Sequence, residues 1–159
     1  MKELFSFLPA ELAVLFTAVL PVIELRGAIP VGMSLGLSPL YATALSFIGS
    51  MFPVPFILLA INPIFDYLKT TKLFSGLVER LTHRSLTKNA AKVQKYGAWG
   101  LILFVAIPLP GTGVWSGCLA AALLGIRFKR AFFSVLLGNL IAAIAVVTLS
   151  NGVGLLIRG

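Results

Sequence analysis

Glu24 and Arg26 stand two residues apart in an apolar stretch, Pro21-Val22-Ile23-Glu24-Leu25-Arg26-Gly27-Ala28-Ile29-Pro30, and no further charge follows before Asp66. A carboxyl in such surroundings can take up and release a proton, its ionisation set by the opposing effects of desolvation and a neighbouring guanidinium. A guanidinium can receive an anionic group through its planar fork. Their i, i+2 spacing puts them on different faces of a regular helix, so the pair suits an irregular turn. The structural alternative is a pair that only neutralises itself or satisfies exposed backbone. A second segment, Pro108-Leu109-Pro110-Gly111-Thr112-Gly113-Val114-Trp115-Ser116-Gly117, supplies the groups to set opposite them. Thr112 and Ser116 bring hydroxyls, Trp115 an amphipathic ring or an ordinary packing residue, and Gly111 and Gly113 accessible amides. A helix starting after Gly113 directs the positive end of its dipole at the same place, an anion site. Gly111-Thr112-Gly113 is not a nucleotide fingerprint, because it lacks the Lys of a phosphate loop and an adjoining strand.

The elements that must hold these groups are membrane helices. The 159 residues are 58% hydrophobic and 11% charged, with mean hydropathy +1.01, whereas a soluble domain carries about 25% charged residues. Charge is also segregated, being absent between Arg26 and Asp66, from Tyr96 to Ile126 and from Ala131 to Ile157. Each run exceeds the roughly 20 apolar residues that cross a bilayer. The opening run, Leu4 to Ile23, is not read as a secretory signal, since Glu3 and Glu11 spoil its charge pattern and no small-x-small site follows. Glu11 is placed near the outer interface. The lone Cys118 allows no disulfide within the chain and no metal site, and reads as a packing residue.

Net charge is +8, but the basic residues gather between Lys69 and Lys95 and in Arg127-Phe128-Lys129-Arg130. That placement fits cytoplasmic loops against anionic lipid and excludes a nucleic-acid surface. With both loops on one side, Tyr96 to Ile126 must leave the membrane where it entered. The run is too long for one crossing of a ~30 Å core and too short for two. Pro108 to Gly113 supplies the bend, and a re-entrant helical hairpin results. Non-helical backbone at that depth is tolerated only against protein or a watery cavity, so the tip marks a site.

The N-terminal half has the same design, with Pro21 to Pro30 as its midpoint and Pro39 to Phe65 as the following span. A gapless shift of 89 residues matches Leu12 with Leu101, Leu20 with Leu109, Pro21 with Pro110, Gly36 with Gly125, Ala42 with Ala131 and Gly49 with Gly138. One hairpin plus one span is an odd number of crossings, so the halves are inverted. The junction Gly36-Leu37-Ser38-Pro39 has no Lys or Arg, while its counterpart holds Arg127, Lys129 and Arg130. The expected fold is therefore all-α and membrane-integral, a single domain with a first repeat over 1–65, a basic linker over 66–95 and an inverted repeat over 96–159. Within the linker, Lys72 to Tyr96 reads as an amphipathic surface helix, with Phe74, Leu77, Val78, Leu81, Leu86, Ala90 and Val93 on its apolar stripe and His83 on the polar face.

The two Pro/Gly segments quoted above resemble the prokaryotic small multidrug export family, which is similar to the wider DedA and VTT superfamily, and the resemblance covers nearly the whole chain. It implies inverted pairs of re-entrant hairpins and spans, a homodimer, and multi-pass residence in a prokaryotic inner membrane. Some DedA members carry polyprenyl phosphates, and eukaryotic members scramble phospholipids. DedA proteins set arginines around the proline of the second hairpin, but the neighbours of Pro108 here include Val105 and Gly111. A phosphate role accordingly falls to Arg26, with Arg127 and Arg130 at the hairpin exit.

The expected site comprises Glu24, Arg26, Gly27, Pro30, Pro108, Pro110, Gly111, Thr112, Gly113, Trp115, Ser116, Arg127 and Arg130. Three functions follow. The first is a proton-coupled transporter or flippase for an anionic lipid-linked headgroup such as polyprenyl phosphate. The second is a small-cation exporter in which substrate exchanges with the proton on Glu24 and Arg26 is a counter-charge. The third is an assembly factor without substrate, against which the charged tip argues. No enzyme is expected, since the spans hold no clustered Asp, His or Cys set. No cofactor is expected beyond a coupling proton or sodium ion, and the partners are membrane lipids and a second copy, not nucleic acid.

Overall fold

Glycine and proline mark most of the places where the helices of this chain stop, although Pro30 and Pro63 lie inside helices. The computed structural model describes residues 9–70, 76, 90–109 and 111–158, and these form helices and turns without a strand. In chain order the helices are α1 (Ala10–Val19), α2 (Glu24–Ser34), α3 (Pro39–Met51), α4 (Val54–Thr70), α5 (Ala90–Ala106), α6 (Val114–Leu123) and α7 (Phe128–Arg158). α1 and α2 pack as a pair closed by Leu20–Ile23, and α5 and α6 as a pair closed by Ile107–Gly113.

Both pairs end in the same way. After α2, Gly36 takes φ +92, its amide donates to the Met33 carbonyl and the Leu37 amide to the Gly32 carbonyl. After α6, Gly125 takes φ +63, with Gly125 donating to Ala122 and Ile126 to Ala121. These paired bonds are the Schellman stop, and glycine adopts the left-handed conformation it needs without steric cost. The Ser38 hydroxyl then caps α3 by accepting from the Tyr41 amide at 3.4 Å, and Pro39 occupies the first turn, where its missing N–H loses nothing.

The long segments tie the two pairs together. Pro39–Ile61 and Phe128–Val153 are, among the described residues, the two stretches long and apolar enough to cross a membrane. α3 lies on the α1–α2 pair, whereas α4 crosses to the other pair, its Val54 and Leu58 joining Leu101, Val105, Val114 and Cys118 in one core. α7 does the reverse. Ala131 and Val135 close that same core, and about two to three turns later Ala142, Ala143 and Val146 pack on Leu25 and Ile29 of α2. Where α3 and α7 meet, the buried Asn139 amide donates to the buried Ser50 hydroxyl at 2.8 Å. Outside, Ile48, Phe56, Phe133 and Ile144 are each about 60% exposed. Apolar surface of that extent on several helices is suited to lipid.

The elements differ in detail from those expected. A turn at Phe52 and Pro53 separates α3 from α4 within the candidate span Pro39–Ile61, and α4 continues through Asp66 to Thr70. Ala90 to Tyr96, expected as the end of the linker helix, are helical and continuous with the apolar residues of α5. The rest of the amphipathic stripe, with His83, lies outside the described residues, as does Lys88. Finally, the left-handed glycines Gly36 and Gly125 and the helix starts at Pro39 and Phe128 stand 89 residues apart, but the first legs do not keep that spacing. A Cβ on Gly49 would meet the Leu15 carbonyl at 3.0 Å and Ala18 Cβ at 2.8 Å, while one on Gly138 would meet the Ile102 carbonyl at 2.7 Å and Val105 Cβ at 2.8 Å. Leu15 and Ala18 thus correspond to Ile102 and Val105, a shorter offset, and the second closing segment carries the extra residues. The gapless pairs Leu12 with Leu101, Leu20 with Leu109 and Pro21 with Pro110 do not hold.

The close approach at Gly138 is testable. Gly138→Val gains only a few tenths of a kcal/mol in helix propensity, while overpacking against rigid backbone costs typically ~1–3 kcal/mol. A lower thermal midpoint in detergent is expected, and a raised one would show that α5 and α7 do not touch there.

Candidate functional site

The two closing segments face each other. α1 ends at Val19 with its last carbonyls lacking helical partners, and α5 ends at Ala106 in the same state. α6 begins at Val114 with free amides, as expected from its sequence. Each loose end finds its partner on the opposite pair. Arg26 Nη2 donates to the Val105 carbonyl at 2.9 Å and the Ile107 carbonyl at 3.0 Å, so a cation closes the negative end of α5. The Glu24 carboxylate accepts from the Trp115 amide at 3.3 Å, so an anion closes the positive end of α6. The Trp115 indole N–H in turn donates to the Val19 carbonyl at 3.1 Å, at the end of α1.

Glu24 and Arg26 also pair directly, Nη1 to Oε2 at 3.0 Å. An i, i+2 ion pair is possible because Glu24 has φ +48, the one left-handed residue other than glycine among the described residues. That conformation costs a side-chain-bearing residue about 1–2 kcal/mol, and it persists where surrounding bonds over-determine it. Here the ion pair and the amide of α6 do so. Gly113 makes room for the carboxylate, because a Cβ there would overlap Glu24 Oε2, Oε1 and Cδ. The remaining polar groups are locally satisfied. Thr112 Oγ1 donates to Ile107 at 2.7 Å or Leu109 at 2.9 Å and lies 3.5 Å from Arg26, and Ser116 Oγ accepts from the Gly113 amide at 2.7 Å. Arg26 Nε is buried and has no acceptor.

A cleft of about 540 Å³ opens over this pair, lined by Pro21, Val22, Ile23, Glu24, Arg26, Gly27, Pro108, Gly111, Gly113, Trp115 and Ser116. Eight of the expected site residues therefore meet in it, and Thr112 touches it through Arg26. Pro30 sits exposed within α2 and away from the cleft, and Pro110 lies outside the described residues. Arg127 and Arg130 are exposed near the start of α7, the length of α6 away, which at ~1.5 Å per residue is about 15 Å. They do not join the cleft, because α6 is a rigid spacer between its two ends. The free anion site expected at the start of α6 is also not free, since Glu24 fills it. Missed from sequence were the walls Pro21, Val22 and Ile23 and the carbonyls of Val19, Val105 and Ile107. The signal for the carbonyls was present, in that any helix ending at a Pro/Gly break leaves them unpaired. Among the described residues no group of His, Cys, Asp and Glu could hold a metal ion.

Two apolar segments of membrane-crossing length, with short apolar helices beside them and an ion pair at the helix ends, are the features of a helical membrane protein. Residues 24–145 match the family described as Putative small multi-drug export protein, and the chain belongs to that family. No curated protein and no solved structure matches it.

Proposed function

We propose that the protein is a proton-coupled exporter in which a small organic cation and a proton compete for Glu24. The observation that carries this reading is the placing of the pair at the cleft. Arg26 is tied to two main-chain carbonyls and keeps its charge, whereas the Glu24 carboxylate, held by a guanidinium nitrogen and by main-chain amides at the start of α6, is the member of the pair that a proton can neutralise. Arg26 then serves as a fixed counter-charge and Glu24 as the exchangeable group. The Trp115 ring beside it offers a face to a cation. The family description supports export of small molecules.

A second reading, transport of an anionic lipid-linked headgroup, is favoured by the unpartnered Arg26 Nε, a donor left for an incoming oxygen. Both readings use inverted halves whose short helix pairs enter the membrane without crossing it. The turns and helix starts repeating at a separation of 89, with Ser50 bonded to Asn139 at that same separation, support this arrangement. A homodimer in a prokaryotic inner membrane completes the reading, since a second copy would shield the polar cleft from lipid.

Purified protein in liposomes with an imposed pH gradient tests the choice. Efflux of a lipophilic cation is expected in the parent and abolished in Glu24→Gln, with no binding of a polyprenyl phosphate. Phosphate-dependent binding lost in Arg26→Gln, without cation movement, would replace the first reading by the second.

A further inference from the structure

We infer that the Glu24–Arg26 pair is a latch that holds the two halves together at the floor of the cleft by capping two helices of the opposite half at once, and that discharging Glu24 releases it. It rests on the reading of Glu24 as the exchanging carboxylate, but it concerns the motion and not the cargo. Three side chains bridge the halves at this point: Glu24 to the Trp115 amide, Arg26 to the Val105 and Ile107 carbonyls, and the Trp115 indole to the Val19 carbonyl. Glu24 touches both of the other bridging residues, Arg26 through its side chain and Trp115 through its amide. Its carboxylate holds Trp115 from the main-chain side and fixes the Arg26 fork by its other oxygen.

A neutral Glu24 attracts neither the positive end of α6 nor the guanidinium, and both caps weaken together. The left-handed backbone at Glu24 then loses the bonds that over-determine it and has a strain to relieve. The direction of release is therefore outward into the cleft, the open side of the carboxylate. Among the described residues, the titratable or charged groups around it are Arg26 on its own helix and the buried Cys118 thiol on α6. α5 and α1 bring main-chain carbonyls to Arg26 and to Trp115. Protonation of one carboxyl, or its occupation by a cation, is thus the event that opens the site.

Gly113 provides a way to break the latch without touching a charge. Gly113→Ala puts a methyl where the carboxylate lies and expels it from the end of α6. The chain has two tryptophans, so Trp99→Phe leaves Trp115 as its own reporter, and Trp99 is exposed. In liposomes, acrylamide quenching of Trp115 is expected to be weak at neutral pH and to rise as Glu24 is protonated at low pH. Glu24→Gln and Gly113→Ala, each in the Trp99→Phe background, should show the high value at neutral pH and lose the pH response. Quenching in these two variants equal to the parent at neutral pH overturns the latch. Should either variant not fold, the pH series on the Trp99→Phe protein decides, and quenching independent of pH overturns it. The readout needs no substrate, so a failed latch with intact cation efflux is distinguishable from a failed transport reading.

Discussion

Glu24→Gln and Arg26→Gln are each expected to lower thermal stability sharply, while the double variant regains most of it and still does not transport. Removing one partner of a buried ion pair strands the other, at about 3–5 kcal/mol. Arg26 keeps some solvent contact, its side chain being 17% exposed against 7% for Glu24, so the lower end of that range applies when Arg26 is the residue stranded. In the double variant no charge is stranded, and the two single costs do not add. Recovery is incomplete, because a neutral glutamine amide at position 26 caps the Val105 and Ile107 carbonyls less well than a guanidinium bonded to both. Each lost hydrogen bond of this kind is worth about 0.5–1.5 kcal/mol. Thermal unfolding in detergent reads the stability, and cation efflux from liposomes reads the function. Recovered stability with recovered efflux would mean that the pair only neutralises itself, and the functional reading of both residues would fall.

Labelling of single cysteines should give an all-or-none result. With Cys118→Ala as background, Ser38→Cys is expected to react only from outside and Lys129→Cys, with Lys88→Cys, only from the cytoplasm. Ser38 caps α3 and Lys129 lies in the first turn of α7, so the two mark equivalent starts of the two long segments. Inverted halves put those starts on opposite faces, and three cationic side chains at one of them hold it inside. Reaction of Ser38→Cys from the cytoplasmic side would sink the inverted arrangement.

Much of the helical frame is local and was legible without coordinates. The Schellman turns at Gly36 and Gly125, the cap Ser38-Pro39 and the breaks at Pro21 and Pro108 to Gly113 follow from what glycine and proline do to their own backbone. The apolar runs set the lengths of the long segments, and the isolation of Glu24 and Arg26 marked the place of the cleft. Even here a local signal had limits. The turn at Phe52 and Pro53 falls within a run that stays apolar on both sides, so composition alone reads one span there.

Only the tertiary structure decided what each charged group holds. Arg26 meets carbonyls 79 and 81 residues away and Glu24 an amide 91 residues away, separations at which no periodicity or spacing carries information. Those bonds exist because the summed packing of α4 on α6 and of α7 on α2 brings two sets of unfinished helix ends together. The same packing filled the expected anion site with the protein's own carboxylate and left Arg127 and Arg130 at the far end of α6. Sequence determined which backbone groups would be left unpaired, since that is a property of each helix alone. Which side chains would pair them depended on contact between the halves.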